Sequence, residues 1–535
     1  MRRVLAALGP PLLVFRGPDG RPLPLPGPPP LTGRLLFGLF GALIAGVMSL
    51  LNTRLTTFGI ADLRGGVGLD VNLGTWSTTA FAVGSIAIVP ATPWLTDIFS
   101  SRRLFVASIL LTTVSAVALG TVPTYPFLVL FRFLQGLGAG ALLPLLLGAV
   151  LRFTPLQQRV WGIAMYAGIT TLSPSVAESI DGWFTDYLSW KAIFWQDIVV
   201  APLAIVPIMI GLPVEPLRLA VFRNTDYPAI IFSILGVAAL TAALGEGQTL
   251  NWFDSGVING LFVIAGVSLA AFVINELTCD RPLIDVRLFQ QVNFSLGLIV
   301  LLTFNFTLLG AYYILPQFAA VVKGWRELQI GEILIWLALP QVVLTPLSAL
   351  LLRYVDARLL LACGLFTFSV GAYMATYITS DWYIADFLPS QLVQACAFPF
   401  IMPPLVLIAT SLITPANAAS GGALFNIVRT LAGSLGVAVA GAVLTVRERV
   451  HSAMILLHVQ PGDIPNSALG SVSVRASAQA FVMACADTFG MLGLIAIACM
   501  VLVLWLRETP VARPVRRTPD AGRVGHVGSE AIVQR

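Results

Sequence analysis

The chain has 535 residues, of which 57% are hydrophobic and only 11% charged, with a mean hydropathy of +0.88 and a formal net charge of +5. Soluble proteins carry charges on about a quarter of their residues. This deficit, with apolar runs of about 20 residues recurring from end to end, excludes a water-soluble fold and any separate soluble domain. An all-α polytopic membrane protein remains, surrounded by the lipid bilayer and with no nucleic-acid partner expected.

The Pro/Gly-rich opening, GPDGRPLPLPGPPP, lacks the short apolar core and cleavage site of a signal peptide, and 1–33 reads as a disordered cytoplasmic lead-in. About fourteen spans follow, at 34–53, 74–95, 104–121, 127–150, 160–182, 192–213, 226–246, 256–276, 293–316, 331–352, 358–377, 384–410, 422–445 and 485–507. Each is long enough to cross about 30 Å of hydrocarbon. The first six make one bundle, 34–213. Two linker spans with their loops occupy 214–292. The last six, 293–507, include a polar outside loop at 446–484, and 508–535 is an Arg-rich cytoplasmic tail. With the N-terminus inside, inner segments hold 21 Lys/Arg and outer segments 8, which orients both termini toward the cytoplasm of an inner membrane.

Five cysteines show no C-x-x-C pairing, so neither a disulfide framework nor a metal site is expected. His451 and His458, seven apart in the outside loop, read as solvated polar residues. FLQGLGAGALLPLL (133–146) resembles LVQACAFPFIMPPL (392–405), aligning Gln135 with Gln394 and Pro144 with Pro403. SSRRLFVASIL aligns Arg103 with Arg358. Such an internal repeat is how many transporters build two halves around one substrate site.

Two motifs carry charge. In PWLTDIFSSRRLF (93–105), Asp97 ends one span and Arg102 and Arg103 begin the next. Together they make either a charge clamp between helix bundles or ordinary positive-inside topology with one incidental acid. In LVLFRFLQGLGAGALLPL (128–145), Arg132 interrupts an apolar run. An arginine there either faces protein or water in a functional role or snorkels to the outer interface. Gly136, Gly138 and Gly140 allow a neighbouring helix to approach closely.

The D-x-F-x-x-R-R loop, the R-x-x-Q-G-x-G-A-G span, LSWKAIFWQD (188–197), DRPLIDVRLFQQVNFSLG (280–297) and LFNIVRTLAGSLGVAV (424–439) occur in an order that resembles the major facilitator superfamily, specifically its 14-span drug:proton antiporters of the EmrB/QacA type. The resemblance implies two six-helix bundles plus two extra central spans, and a multidrug efflux role without enzymatic chemistry or cofactor. It implies a gating loop at Asp97, Arg102 and Arg103, and a span-4 motif at Arg132, Gln135 and Gly136, where the arginine serves proton transfer. Arg429 matches a recurrent span-13 arginine. In a source with two membranes, a periplasmic adaptor and an outer-membrane channel are implied partners.

Two departures stand out. Span 5 of such antiporters carries G-x-x-x-G-P-x-x-G-G, whereas this chain has Ala177-Glu178 and Asp181-Gly182. The acid usual in span 1 falls on Asn52, with Arg54 two residues on. Glu178 and Asp181 are three apart and share a helix face. Two like charges in a poorly solvated place titrate as a coupled pair, the property a proton-coupled carrier needs. Arg54 is their candidate counter-charge, and hydration of Asp181 in the outer headgroup region is the alternative. Asp197, Glu246, Glu276 and Glu332 read as structural.

The expected activity is therefore proton-coupled export of amphipathic or cationic organic compounds by alternating access, with Gln135, Asn305, Tyr312 and Tyr313 as cavity candidates. A dedicated exporter of one endogenous metabolite such as a siderophore, or an uncoupled carrier, are the alternatives.

Overall fold

The computed structural model describes residues 32–507 apart from 59–70, 122–123, 156–157, 224, 280–282, 285, 412, 414–417 and 458–468. Within its helices the side chains of 54–58, 71–73, 174, 178, 190, 220, 223, 327 and 469–472 also lie outside the description. The described residues contain no strand, as expected where lipid offers the backbone no partner and each segment must satisfy itself.

The first bundle comprises α1 (Gly33–Phe58), α2 (Val71–Ala87), α3 (Thr92–Phe99), α4 (Ser101–Leu119), α5 (Tyr125–Phe153), α6 (Arg159–Tyr187), α7 (Trp190–Trp195) and α8 (Asp197–Gly211). Pro90 sits in the break between α2 and α3, which bends that stretch by 57°. Only Gln196 separates α7 from α8, so the two make one span. Two linker helices follow, α9 (Tyr227–Glu246) and α10 (Gly256–Thr278). The second bundle holds α11 (Val292–Lys323), α12 (Glu327–Leu351), α13 (Ala357–Ala375), α14 (Ile384–Thr410), α15 (Ala418–Leu457) and α16 (Leu469–Val503).

Among the described residues, twelve helices are long and apolar enough to cross a membrane, or thirteen with the bent pair. α6 is not one of them, yet its 29 residues give it the length. It packs along α12 more extensively than any other two helices pack together, and also against α1 and α14. Its polar side chains therefore meet protein rather than lipid: Ser173, Ser175 and Asp181 are buried. With the bent pair and α6, the long helical segments among the described residues number fourteen.

Close packing in the first bundle depends on glycine. A Cβ on Gly136 would lie 2.2 Å from the Phe81 carbonyl oxygen of α2, and one on Gly140 would lie 2.0 Å from that of Ser85. Small residues let the two backbones touch, so dispersion can hold helices together where lipid supplies no hydrophobic drive. Gly38 of α1 and Gly211 of α8 meet in the same way, with a Cβ on Gly211 only 2.2 Å from the Gly38 nitrogen.

The start of α1, the ends of α5 and α8, the starts of α13 and α15 and the end of α16 share one face, called the terminal face below. There the internal repeat recurs as contacts. Arg103 at the start of α4 donates to the Glu215 carbonyl beyond α8, and Arg358 at the start of α13 donates to the Leu506 carbonyl beyond α16.

The polar stretch between the last two spans is largely helical. α15 continues to Leu457, and the Asp487 carboxylate of α16 accepts from Arg447 (2.6 Å) and contacts His451 Nε2 (2.6 Å). These charge-assisted contacts tie the two helices together along the extension. His458 lies outside the described residues.

Overpacking a close helix contact costs about 1–3 kcal/mol. Gly140→Val should therefore lower the melting temperature of the detergent-solubilised protein by several degrees, whereas Gly256→Val, whose new Cβ would meet nothing within 4 Å, should not. Equal shifts in a thermal-stability assay would contradict this account of the packing.

Candidate functional site

α1 and α8 run antiparallel from the Gly38–Gly211 crossing. Asn52 lies fourteen residues beyond Gly38 and Asp197 fourteen before Gly211, so both are about 21 Å from the crossing and on the same level. The register sets amide against carboxylate. Asn52 Nδ2 donates to Asp197 Oδ1 and Oδ2, each at 3.0 Å, and to the Met48 carbonyl of its own helix at 2.9 Å.

The chain of donors continues into α5. Gln135 Nε2 donates to Asn52 Oδ1 at 2.7 Å, and Arg132 Nη1 donates to Gln135 Oε1 at 2.7 Å. Three hydrogen bonds therefore link a guanidinium to a carboxylate through two side-chain amides, all pointing the same way. The direction follows from chemistry. An ionised carboxylate only accepts, so Asn52 must offer it nitrogen. Its oxygen is left for Gln135, whose own oxygen then meets the arginine.

All four side chains are buried, none more than 2% exposed. An unpartnered arginine there would cost several kcal/mol. Arg132 also donates from Nε to the Ser77 carbonyl at 3.4 Å and lies over the rings of Phe81 (4.9 Å) and Phe194 (5.7 Å). It does not snorkel: the guanidinium is enclosed by α2, α5 and α7. Asp181, buried on α6, interacts with it electrostatically. Glu178 and Arg54 belong to α6 and α1, but their side chains lie outside the described residues.

The other candidates scatter. Arg102 and Arg103 reach the Leu212 and Glu215 carbonyls beyond α8, while Asp97 lies electrostatically near Arg152, Arg218 and Glu215. Arg152 pairs with Glu215 at 2.7 Å. Gly136 is the close-contact residue described above. Asn305 is buried and donates to Leu301 of its own helix. Tyr312 shares a 2.8 Å hydrogen bond with Ser175 of α6, and the Tyr313 hydroxyl lies near Gly441 of α15. Arg429 Nε donates to Asn426 Oδ1 at 3.4 Å.

The contact between α6 and the second bundle is hydrogen-bonded toward both ends. Toward the terminal face Tyr166 donates to Asn426 (3.0 Å), and the backbones of α5 and α15 approach at Gly148 and Ala419. At the opposite end Ser179 donates to the Gly331 carbonyl at 2.8 Å. A cavity of about 370 Å³ opens on the terminal face among Leu36, Phe40, Leu43, Trp161 and Met165, with Arg353 stacked 5.3 Å over Trp161.

The sequence reads Asp197 as structural and does not single out Tyr166 or Asn426. Asp197 had a signal: it stands six residues inside the apolar run Lys191–Gly211, and the neighbouring span holds an amide where an acid is usual. Of the acids grouped with it, Glu246 accepts from Thr75 and Thr79 of α2, and Glu276 accepts from the Leu283 and Ile284 amides. Both carboxylates link neighbouring elements.

Removing the central link should strand two buried groups at about 1–3 kcal/mol each. Gln135→Leu is expected to lower the melting temperature in detergent by several degrees more than Gln394→Leu, because the Gln394 amide nitrogen has no hydrogen-bond partner to lose. Similar shifts for the two variants would argue against the linked chain.

Residues 42–437 match the family model described as Major Facilitator Superfamily. The multidrug export protein EmrB of Haemophilus influenzae is 30% identical over 438 residues, covering 81% of this chain and 85% of its own length. The fatty acid resistance protein FarB of Neisseria gonorrhoeae is 27% identical over 500 residues, covering 90% of this chain and 98% of its own. Among solved structures, the proton:xylose symporter XylE superposes with a TM-score of 0.57 at 12% identity, covering 89% of this chain and 96% of XylE, a likeness of fold alone. With fourteen long helices, duplicated terminal-face contacts and these matches, the chain belongs to the major facilitator superfamily, among its EmrB-type export proteins.

Proposed function

We propose that this exporter is an antiporter, releasing amphipathic or cationic organic compounds as protons move the other way. The observation that carries the reading is the buried polar chain from Arg132 to Asp197. Apolar side chains of similar volume would be cheaper to bury, so charges kept apart by two amides point to a group that changes its charge during the cycle. Hydrogen bonds at both ends of the α6 contact support alternating access, in which one end opens while the other holds. The terminal face, with Arg34, Arg102, Arg103, Arg152, Arg353 and Arg358, is the cytoplasmic one on this reading. The membrane is then the inner one, and in a two-membrane cell a periplasmic adaptor and an outer-membrane channel would continue the route.

The cavity on that face favours amphipathic substrates. Its walls are aliphatic and aromatic, which bind apolar bodies without demanding one shape. Relatives named for multidrug export and for fatty acid resistance support the same class. Arg353 at the cavity favours a second reading, a dedicated exporter of one anionic metabolite.

Cells deprived of their own pumps and expressing the chain should extrude ethidium, and a protonophore should stop them. Arg132→Gln should reduce the extrusion rate by about tenfold or more. Extrusion that continues unchanged with the protonophore would make the protein an uncoupled carrier. Failure to extrude ethidium, with competition for binding by anionic amphiphiles alone, would favour the dedicated exporter.

A further inference from the structure

We propose that Asp197, in span 6, is the carboxyl group that takes up and releases the transported proton, and that Asn52 is the sensor that turns its protonation into movement. The proposal rests on the proton-coupled reading above and names its site. Asp197 is 1% exposed, and among the described residues its carboxylate oxygens have one hydrogen-bond partner, the Asn52 amide. A neutral partner leaves the charge only partly compensated, so the acid is held where either protonation state is within reach.

Among the described residues the charged groups around it are few; the side chains of Arg54 on α1 and Glu178 on α6 lie outside the description. From α5, Arg132 stands three hydrogen bonds away through Gln135 and Asn52. From α6, Asp181 interacts with that arginine. Along its own span, Lys191 is exposed. The basic residues of α4, Arg102 and Arg103, lie at its opposite end, on the terminal face.

Protonation has a structural consequence. When a proton from water binds one carboxylate oxygen, Asp197 loses its charge and gains an O–H donor, which then faces the Asn52 NH2, also a donor. Turning the Asn52 amide presents its oxygen to the new acid but takes that oxygen from Gln135 Nε2. Gln135 is then left to satisfy its nitrogen elsewhere, and its hold on Arg132 changes with it. One proton on α8 thereby loosens the contact between α1 and α5. Release of the proton to the opposite side restores the carboxylate and the original amide orientation, so protons and charge balance over the cycle.

The contact also states which variants should interconvert. In Asp197→Asn the acid is gone, and protonophore-sensitive ethidium efflux should fall to the level of cells without the transporter. In the double variant Asn52→Asp with Asp197→Asn, carboxyl and amide have exchanged places across one hydrogen bond, and efflux should return. A readout on the unaltered protein accompanies these. Dicyclohexylcarbodiimide modifies protonated carboxyl groups in apolar surroundings, so wild-type protein in liposomes should carry the adduct on Asp197, less of it as pH rises, when its peptides are weighed by mass spectrometry. Retained protonophore-sensitive efflux in Asp197→Asn, or an adduct on Asp181 or Glu178 with none on Asp197, would overturn the assignment. A pH-dependent adduct on Asp197 with wild-type efflux insensitive to protonophore would instead retain the titrating acid and reject the coupled reading.

Discussion

Asp197 sets a carboxylate inside a bundle of apolar helices, and the Asn52 amide makes that placement tolerable. A carboxylate stripped of water is costly, and one hydrogen bond from a neutral group offsets only part of the cost. The remainder is spread along the amides to Arg132, itself buried and needing negative ends of dipoles around it. The two charges are joined through the amides, and Asn52 meets Asp197 at the level that the glycine crossing of α1 and α8 at Gly38 and Gly211 sets. Glycine contacts, amide chain and charges form one unit, and the first bundle is assembled around it.

The same economy explains α6. A helix with Arg159, Glu178, Asp181 and Asp186 is a poor lipid-facing span, and it is placed where little lipid reaches, between the two bundles. Ser175, Ser179 and Tyr166 hydrogen-bond across that interface, to Tyr312, Gly331 and Asn426. Such bonds are short, directional and individually modest. An interface held this way can exchange one set of bonds for another, the property that the proposed alternating access requires.

Much of the fold is legible in the sequence, because a membrane leaves few choices. Hydropathy marks the spans, and the glycine run of 136–140 announces the close packing of α5 against α2. The repeat that pairs Arg103 with Arg358 reappears as equivalent backbone contacts. The candidate site is legible only in part. Arg132, Gln135 and Asn52 stand out as residues, but what joins them is the antiparallel register of two helices 145 residues apart, which no local pattern encodes. Asp197 reads as structural in the sequence because it stands less than two turns inside the start of its span, and nothing local marks Asn52 as its partner. Two acids in one span, Glu178 and Asp181, are conspicuous in a sequence, while one acid opposite a lone asparagine is not.

The central claim is that a proton moves on and off a carboxyl group whose protonation is felt through the Asn52 amide. Infrared difference spectroscopy of the protein in lipid, stepped between mildly alkaline and mildly acidic pH, observes that group directly. The account predicts that a carboxylic acid C=O band appears on acidification in the wild type together with a shift in side-chain amide absorption, and that both are missing from Asp197→Asn. An unchanged pair of bands in the variant would contradict it.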